Sequence, residues 1–129
     1  MSDKLSVRIM SQNIKGVLEN KSFQFAIRIV NLYKYLVENH KVYVISKQVL
    51  KSGTSIGANI SEAQYAQSKA DFGTKMQISL KEASETRFWI QLLQATDYLS
   101  EDESESLLAD CNDLINMLVS TCKTVLPRE

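Results

Sequence analysis

The sequence predicts an all-α protein, an antiparallel up-and-down four-helix bundle. Three observations lead there. Apolar residues recur at steps of three and four in four successive segments, which gathers them on one face of an α-helix. Pro127 is the only proline, so helices can run long without interruption. Ser68 with Asp71, and Ser100 with Glu103, carry the spacing of capping boxes, which start helices. Short connections and the lack of strand-like blocks complete the bundle.

Residues 1–21 are weakly patterned and are read as an N-terminal arm, either mobile or exchanged with another subunit. Residues 22–126 form the four-helix bundle domain, and 127–129 a C-terminal tail. Ser22 is the expected N-cap of the first helix, which runs to about Asn39. Phe25, Ile29, Leu32 and Leu36 make its core stripe. Ala26, Val30, Tyr33 and Val37 repeat that spacing one position along, giving a face wide enough for a core or for a neighbouring subunit.

The second helix is expected from about Val44 to Ala66, with Ile45, Val49, Gly53, Ile56, Ile60 and Ala63 on one stripe. Its segment Gly53-Thr54-Ser55-Ile56-Gly57-Ala58-Asn59 is rich in small residues. Glycine costs a helix interior about 1 kcal/mol relative to alanine, so close approach of another helix is the expected compensation. A phosphate-cradling loop would need Gly-Lys-Ser or Gly-Lys-Thr after a strand, and neither is present. The third helix is expected from about Lys69 to Leu99. Phe72, Met76, Leu80, Ala83, Ile90 and Leu93 line one side, and Ile78, Trp89, Leu92 and Leu99 a second. The fourth begins after Ser100, where Glu101, Asp102, Glu103 and Glu105 suit the positive end of a helix dipole. Leu108, Cys111, Ile115, Leu118, Cys122 and Val125 form its stripe.

The length of 129 residues suits one domain, and 44% hydrophobic residues can fill its core. No apolar run reaches the ~20 residues that cross a bilayer, and the first residues lack the apolar core of a secretory signal. A cytoplasmic protein with no membrane partner is expected. Cys111 and Cys122 fall ~16 Å apart on one helix, too far for a disulfide between them, and read as buried small hydrophobes. The net charge is zero but unevenly spread. Residues 1–52 carry nine Lys or Arg against three Asp or Glu, and residues 53–129 carry six against twelve.

His40 is the single histidine, at the turn after the first helix, so triad chemistry or a di-iron bundle has little to build on. Glu62, Glu82 and Glu85 could approach one another as acid–base carboxylates. The plainer reading is a structural polar network of Asn59, Glu62 and Glu85, with lysines or Arg87 supplying charge. Arg28, Lys34, Lys41, Lys47 and Lys51 are interleaved with Tyr33, Tyr35 and Tyr43. Basic and aromatic side chains together can grip RNA; as a wet helix face they need no ligand.

Several segments carry a family resemblance: Ser46-Lys47-Gln48-Val49-Leu50-Lys51-Ser52-Gly53-Thr54-Ser55-Ile56-Gly57-Ala58-Asn59-Ile60, Ser68-Lys69-Ala70-Asp71-Phe72, and Leu80-Lys81-Glu82-Ala83-Ser84-Glu85-Thr86-Arg87-Phe88-Trp89. Over about residues 13–125 the chain resembles the four-helix-bundle proteins related to those encoded by intervening sequences in bacterial 23S rRNA genes. The resemblance implies a bundle that is often a homopentamer, with no assigned catalytic activity. Some distant relatives are accessory proteins of diversity-generating retroelements, which engage a reverse transcriptase and nucleic acid. Lys51 stands where Arg is common in the family, which weakens planar, bidentate phosphate contact.

The expectation is therefore a non-enzymatic, homo-oligomeric scaffold or binding module without cofactor or metal, contacting RNA or a nucleoprotein through Arg28, Lys47 and Lys51. The alternatives are a protein-binding adaptor with no nucleic-acid role and a carboxylate-based enzyme.

Overall fold

The computed structural model describes residues 15–125. Residues 1–14 of the expected arm and the tail at 127–129 lie outside the described residues. A π-helical turn, Lys15–Glu19, leads directly into α1, Asn20–His40. Helices α2, Val44–Ala63, α3, Lys69–Ala95, and α4, Glu101–Val125, follow. Among the described residues there is no strand. Consecutive helices pack on one another, and α1 closes against α4 across the most open seam. The result is the up-and-down four-helix bundle.

The core runs the length of the bundle. Phe25, Ile29, Leu36, Val49, Ile56, Ile60, Phe72, Met76, Ile90, Leu93, Leu114 and Leu118 are buried almost completely. Each such side chain contributes roughly 1.5–3 kcal/mol relative to its exposed state. In α4 the innermost positions are Leu107 and Leu114, while Leu108 and Ile115, expected there, are half-buried beside them. The apolar face of α4 is two residues wide, so the 3–4 spacing alone did not choose between them.

The small residues of α2 seat α1. A Cβ placed on Gly53 would lie 2.7 Å from both Cγ1 and Cγ2 of Ile29. A Cβ on Gly57 would lie 3.3 Å from Ser22 Oγ and 3.4 Å from the Ser22 carbonyl oxygen. At Gly57 the two backbones themselves come close.

Helix ends depart from the sequence expectation in three places. Ser22 does not cap α1: the chain is already helical from Lys15, and the buried Ser22 hydroxyl donates to the Glu19 carbonyl at 2.9 Å. Helix α2 ends at Ala63 rather than Ala66, because Gln64, Tyr65 and Ala66 switch to tighter bonds with Ser61, Glu62 and Ala63. Helix α3 ends at Ala95 rather than Leu99. Asp97 takes a left-handed φ of 67°, and the Tyr98 N–H returns to the Leu93 carbonyl at 2.9 Å. Leu99 still reaches the core. Both capping serines act as expected. Glu103 N–H donates to Ser100 Oγ at 3.1 Å, and Ser100 N–H to Glu103 Oε1 at 3.3 Å. Asp71 N–H donates to Ser68 Oγ at 3.0 Å, but the Asp71 carboxylate accepts from Gln67 N–H, not from Ser68.

Candidate functional site

The outer face of α2 carries the basic side chains best placed for a ligand. Ser46, Val49, Gly53 and Ile56 turn inward and are buried, which leaves Tyr43, Lys47 and Lys51 exposed at intervals of one helical turn. Successive members are roughly 6 Å apart along the axis. Tyr43 is 54% exposed. Its phenol ring offers a stacking surface, and the two ammonium groups offer point charges for phosphates.

The three basic residues singled out from sequence do not form one patch. Arg28 lies in the α1–α4 seam. Its guanidinium makes an ion pair with Asp110 at 2.6 Å and donates to Ser106 Oγ at 2.9 Å and the Ser106 carbonyl at 3.2 Å. Lys51 lies close enough to α3 for its charge to act on Glu82. Lys47, one turn away, makes no ion pair within the described residues.

Asn59, Glu62 and Glu85 are likewise bonded separately. Asn59 Nδ2 donates to the Ser55 carbonyl of its own helix at 2.8 Å. Glu62 reaches Lys75 of α3 at 3.6 Å. Glu85 accepts from Trp89 Nε1 at 3.1 Å. Glu82 and Glu85 do feel one another. Partial burial pushes the Glu82 carboxyl above its ordinary range, and the charge of Glu85 adds to the rise, while Lys51 and Lys81 oppose it. Glu62 is not among the charges acting on Glu82. Among the described residues, no three His, Cys, Asp or Glu side chains gather as a metal site.

The polar chain inside the bundle is made of other residues. Thr86 Oγ1 lies 2.9 Å from Ser52 Oγ, and the Ser79 hydroxyl donates to the Ile56 carbonyl at 2.9 Å. The Cys111 thiol donates to the Ala83 carbonyl at 3.3 Å. All four side chains are fully buried. Their signal in the sequence was a hydroxyl on a core stripe, with Ser79 and Thr86 two turns apart. At the other end of α1, His40 Nε2 lies 2.9 Å from the Tyr35 hydroxyl, and its ring sits edge-on to Tyr35 and Tyr98. Beside them, Arg28, Leu32, Tyr35, Leu99 and Asp102 line an open groove of about 530 Å³ between α1 and α4.

These features define an all-helical bundle with a hydroxyl-studded interior and a basic, aromatic outer α2 face. The chain belongs to the 23S rRNA-intervening sequence protein family, whose model matches residues 17–120. It is similar to a protein of unknown function from the S23 ribosomal protein family of Bacteroides thetaiotaomicron, whose crystal structure is known at 1.70 Å resolution. That chain is 52% identical, with a TM-score of 0.82 over 83% of this chain and 99% of the other. No curated protein matches the chain. Among the described residues no helix is long and apolar enough to cross a membrane.

Proposed function

We propose that this protein is a non-catalytic, homo-oligomeric binding module that engages single-stranded RNA through Tyr43, Lys47 and Lys51. The observation that carries this reading is their shared exposure along one face of α2. Two ammonium groups in register neutralise neighbouring phosphates, and a tyrosine at the end of the row stacks on a base. One such patch binds weakly. Repetition around an oligomer, a pentamer as the family resemblance implies, raises the effective concentration of every further contact. Arg28 is left out of this interface because Asp110 and Ser106 already occupy its guanidinium.

The test is the anisotropy of a labelled, mixed-sequence single-stranded RNA titrated at several salt concentrations. Lys47→Glu with Lys51→Glu should weaken binding by about tenfold or more and flatten the salt dependence. Unchanged binding by that variant sinks the assignment. A second reading, a protein-binding adaptor, is supported by the exposed Phe23 and Ile27, one turn apart on α1, since neighbouring exposed apolar side chains mark contact with another protein.

A further inference from the structure

The seam between α1 and α4 is the loosest in the bundle, and two hollows lie end to end along it. The groove of about 530 Å³ has Leu32, Leu99 and Leu107 as its floor, and only the edges of these side chains reach water. Asn31 and Tyr35 border it on α1, and Asp102 and Glu103 on α4. A smaller hollow of about 130 Å³ follows towards Lys15, between Lys21 and Gln24 of α1 and Asp110 and Asp113 of α4. The Arg28–Asp110 ion pair stands between the two. Along the whole seam Asp102, Glu103, Asp110 and Asp113 outnumber Arg28 and Lys21. Its base is apolar and its rim is acidic.

A complementary segment precedes Lys15 in the same chain. Leu5, Val7 and Ile9 alternate with Lys4, Ser6 and Arg8. In an extended chain that alternation puts the apolar side chains on one side and the cations on the other. The reach suffices. Asn31 is sixteen residues beyond Lys15, roughly 24 Å along α1. Ser6 is nine residues before Lys15, roughly 30 Å of extended chain, so length remains for a turn. The register agrees as well. Lys4 and Arg8 stand roughly 13 Å apart in an extended chain, and Asp102 and Asp110 roughly 12 Å apart along α4.

We infer that residues 4–10 of this chain dock in its own α1–α4 seam. Leu5, Val7 and Ile9 rest on the leucine floor, Lys4 meets Asp102 and Glu103, and Arg8 meets Asp110 and Asp113. The segment takes the last exposed edges of Leu32, Leu99 and Leu107 out of water, and the long cationic stems bend to the rim carboxylates. It thereby ties together the two neighbouring helices that pack least on one another. The inference stands apart from the RNA reading, because Tyr43, Lys47 and Lys51 lie on α2, outside this seam.

Disulfide trapping in the full chain tests this. Ser6→Cys with Asn31→Cys should close a disulfide within one chain under mild oxidation. Ser6→Cys with Gln91→Cys, exposed on the diagonal helix α3, is the control and should close about tenfold more slowly or worse. Cys111 and Cys122 are buried and stay out of the reaction. Replacing Leu5, Val7 and Ile9 together by Ser should slow the first pair to the control rate. Asp102→Cys takes the place of Asn31→Cys if the latter variant loses its helical circular dichroism. Equal rates for the two pairs, or a first-pair rate that ignores the triple replacement, overturn the docking. Trapping a mixture of 15N-labelled and unlabelled protein separates the chain's own seam from a neighbour's. Disulfide-linked peptides of mixed isotopic mass overturn docking within one chain.

Discussion

The hydroxyl oxygens of Ser52 and Thr86 lie 2.9 Å apart, fully buried where α2 packs on α3. Thr86 Oγ1 is also 2.7 Å from the Glu82 carbonyl, and Ser52 Oγ 3.4 Å from the Val49 carbonyl. The pair thus joins two helices while each hydroxyl stays near a carbonyl of its own helix. Thr86→Val keeps the shape and deletes the hydroxyl, leaving Ser52 with one poor partner. We expect a loss of about 1–2 kcal/mol in urea unfolding. Adding Ser52→Ala should cost less than the sum of the two single changes. Strict additivity in that cycle would show that the two hydroxyls do not cooperate.

Gly53 and Gly57 should respond differently to alanine. At Gly53 the new methyl meets the branched carbons of Ile29 close to its backbone, which cannot swing aside as a chain end could. Overpacking of this kind costs about 1–3 kcal/mol, more than the ~1 kcal/mol of helix propensity gained. Gly53→Ala should therefore lower the Tm. At Gly57 the contacts of 3.3–3.4 Å are tight but not overlapping, so Gly57→Ala should change the Tm little. Equal Tm values for the two variants would contradict this difference.

Arg28 separates structural from binding roles. Its ion pair with Asp110 is about one-third to one-half exposed on either side, with side-chain exposures of 37% and 49%, and exposed pairs contribute at most about 1 kcal/mol. Arg28→Ala should thus lower stability modestly and leave RNA affinity unchanged, while the Lys47 and Lys51 double variant should do the reverse. A loss of RNA affinity on Arg28→Ala, measured by the same anisotropy titration, would return Arg28 to the interface.

Glu82 and Cys111 have folded-state pKa values above their ordinary ones, as does Cys122 through burial, and the same linkage applies to each. The native state holds the proton more firmly than the unfolded chain, so stability is greatest below the ordinary pKa and falls as pH rises through the window above it. For Glu82 that window opens upward from 4.5, and the loss persists at neutral pH. Glu82→Gln should therefore be at least as stable as wild type at about pH 7 and should flatten the pH dependence of urea unfolding above about pH 4. Cys111 is pushed from 9.0 up to about 11, chiefly by burial and then by Asp110, with Arg87 opposing. Stability should fall between those values as the unfolded chain ionises its thiol and the native one does not. Alkylation at neutral pH should be slow without denaturant. Fast labelling of native Cys111 would contradict its burial.

The bundle was legible because its signals are local and periodic. The Phe25–Leu36 and Phe72–Leu93 stripes and the Ser100–Glu103 box each follow from a few neighbouring residues. The close approach of α1 to α2 was legible too, through glycines with no other reason to occupy a helix. Helix ends were less so: the left-handed residues that end α1 and α3 are Lys41 and Asp97, with φ of 55° and 67°, and no glycine announces them. The partners of Arg28, Glu62 and Glu85 depend on which helix lies across from each, and spacing along one helix cannot supply that. Buried hydroxyls were missed because serine at a core position resembles a small spacer until its acceptor is known.

Both inter-helix hydroxyl bonds in the core, Ser79 to the Ile56 carbonyl and Thr86 to Ser52, join α2 to α3. They fix the axial register of that hairpin, while α1 meets α4 across its loosest seam. We expect the α2–α3 hairpin, which both of these buried bonds tie together, to be formed in the folding transition state. Substitutions at Ser79 or Thr86 should slow refolding, whereas Arg28→Ala should chiefly speed unfolding.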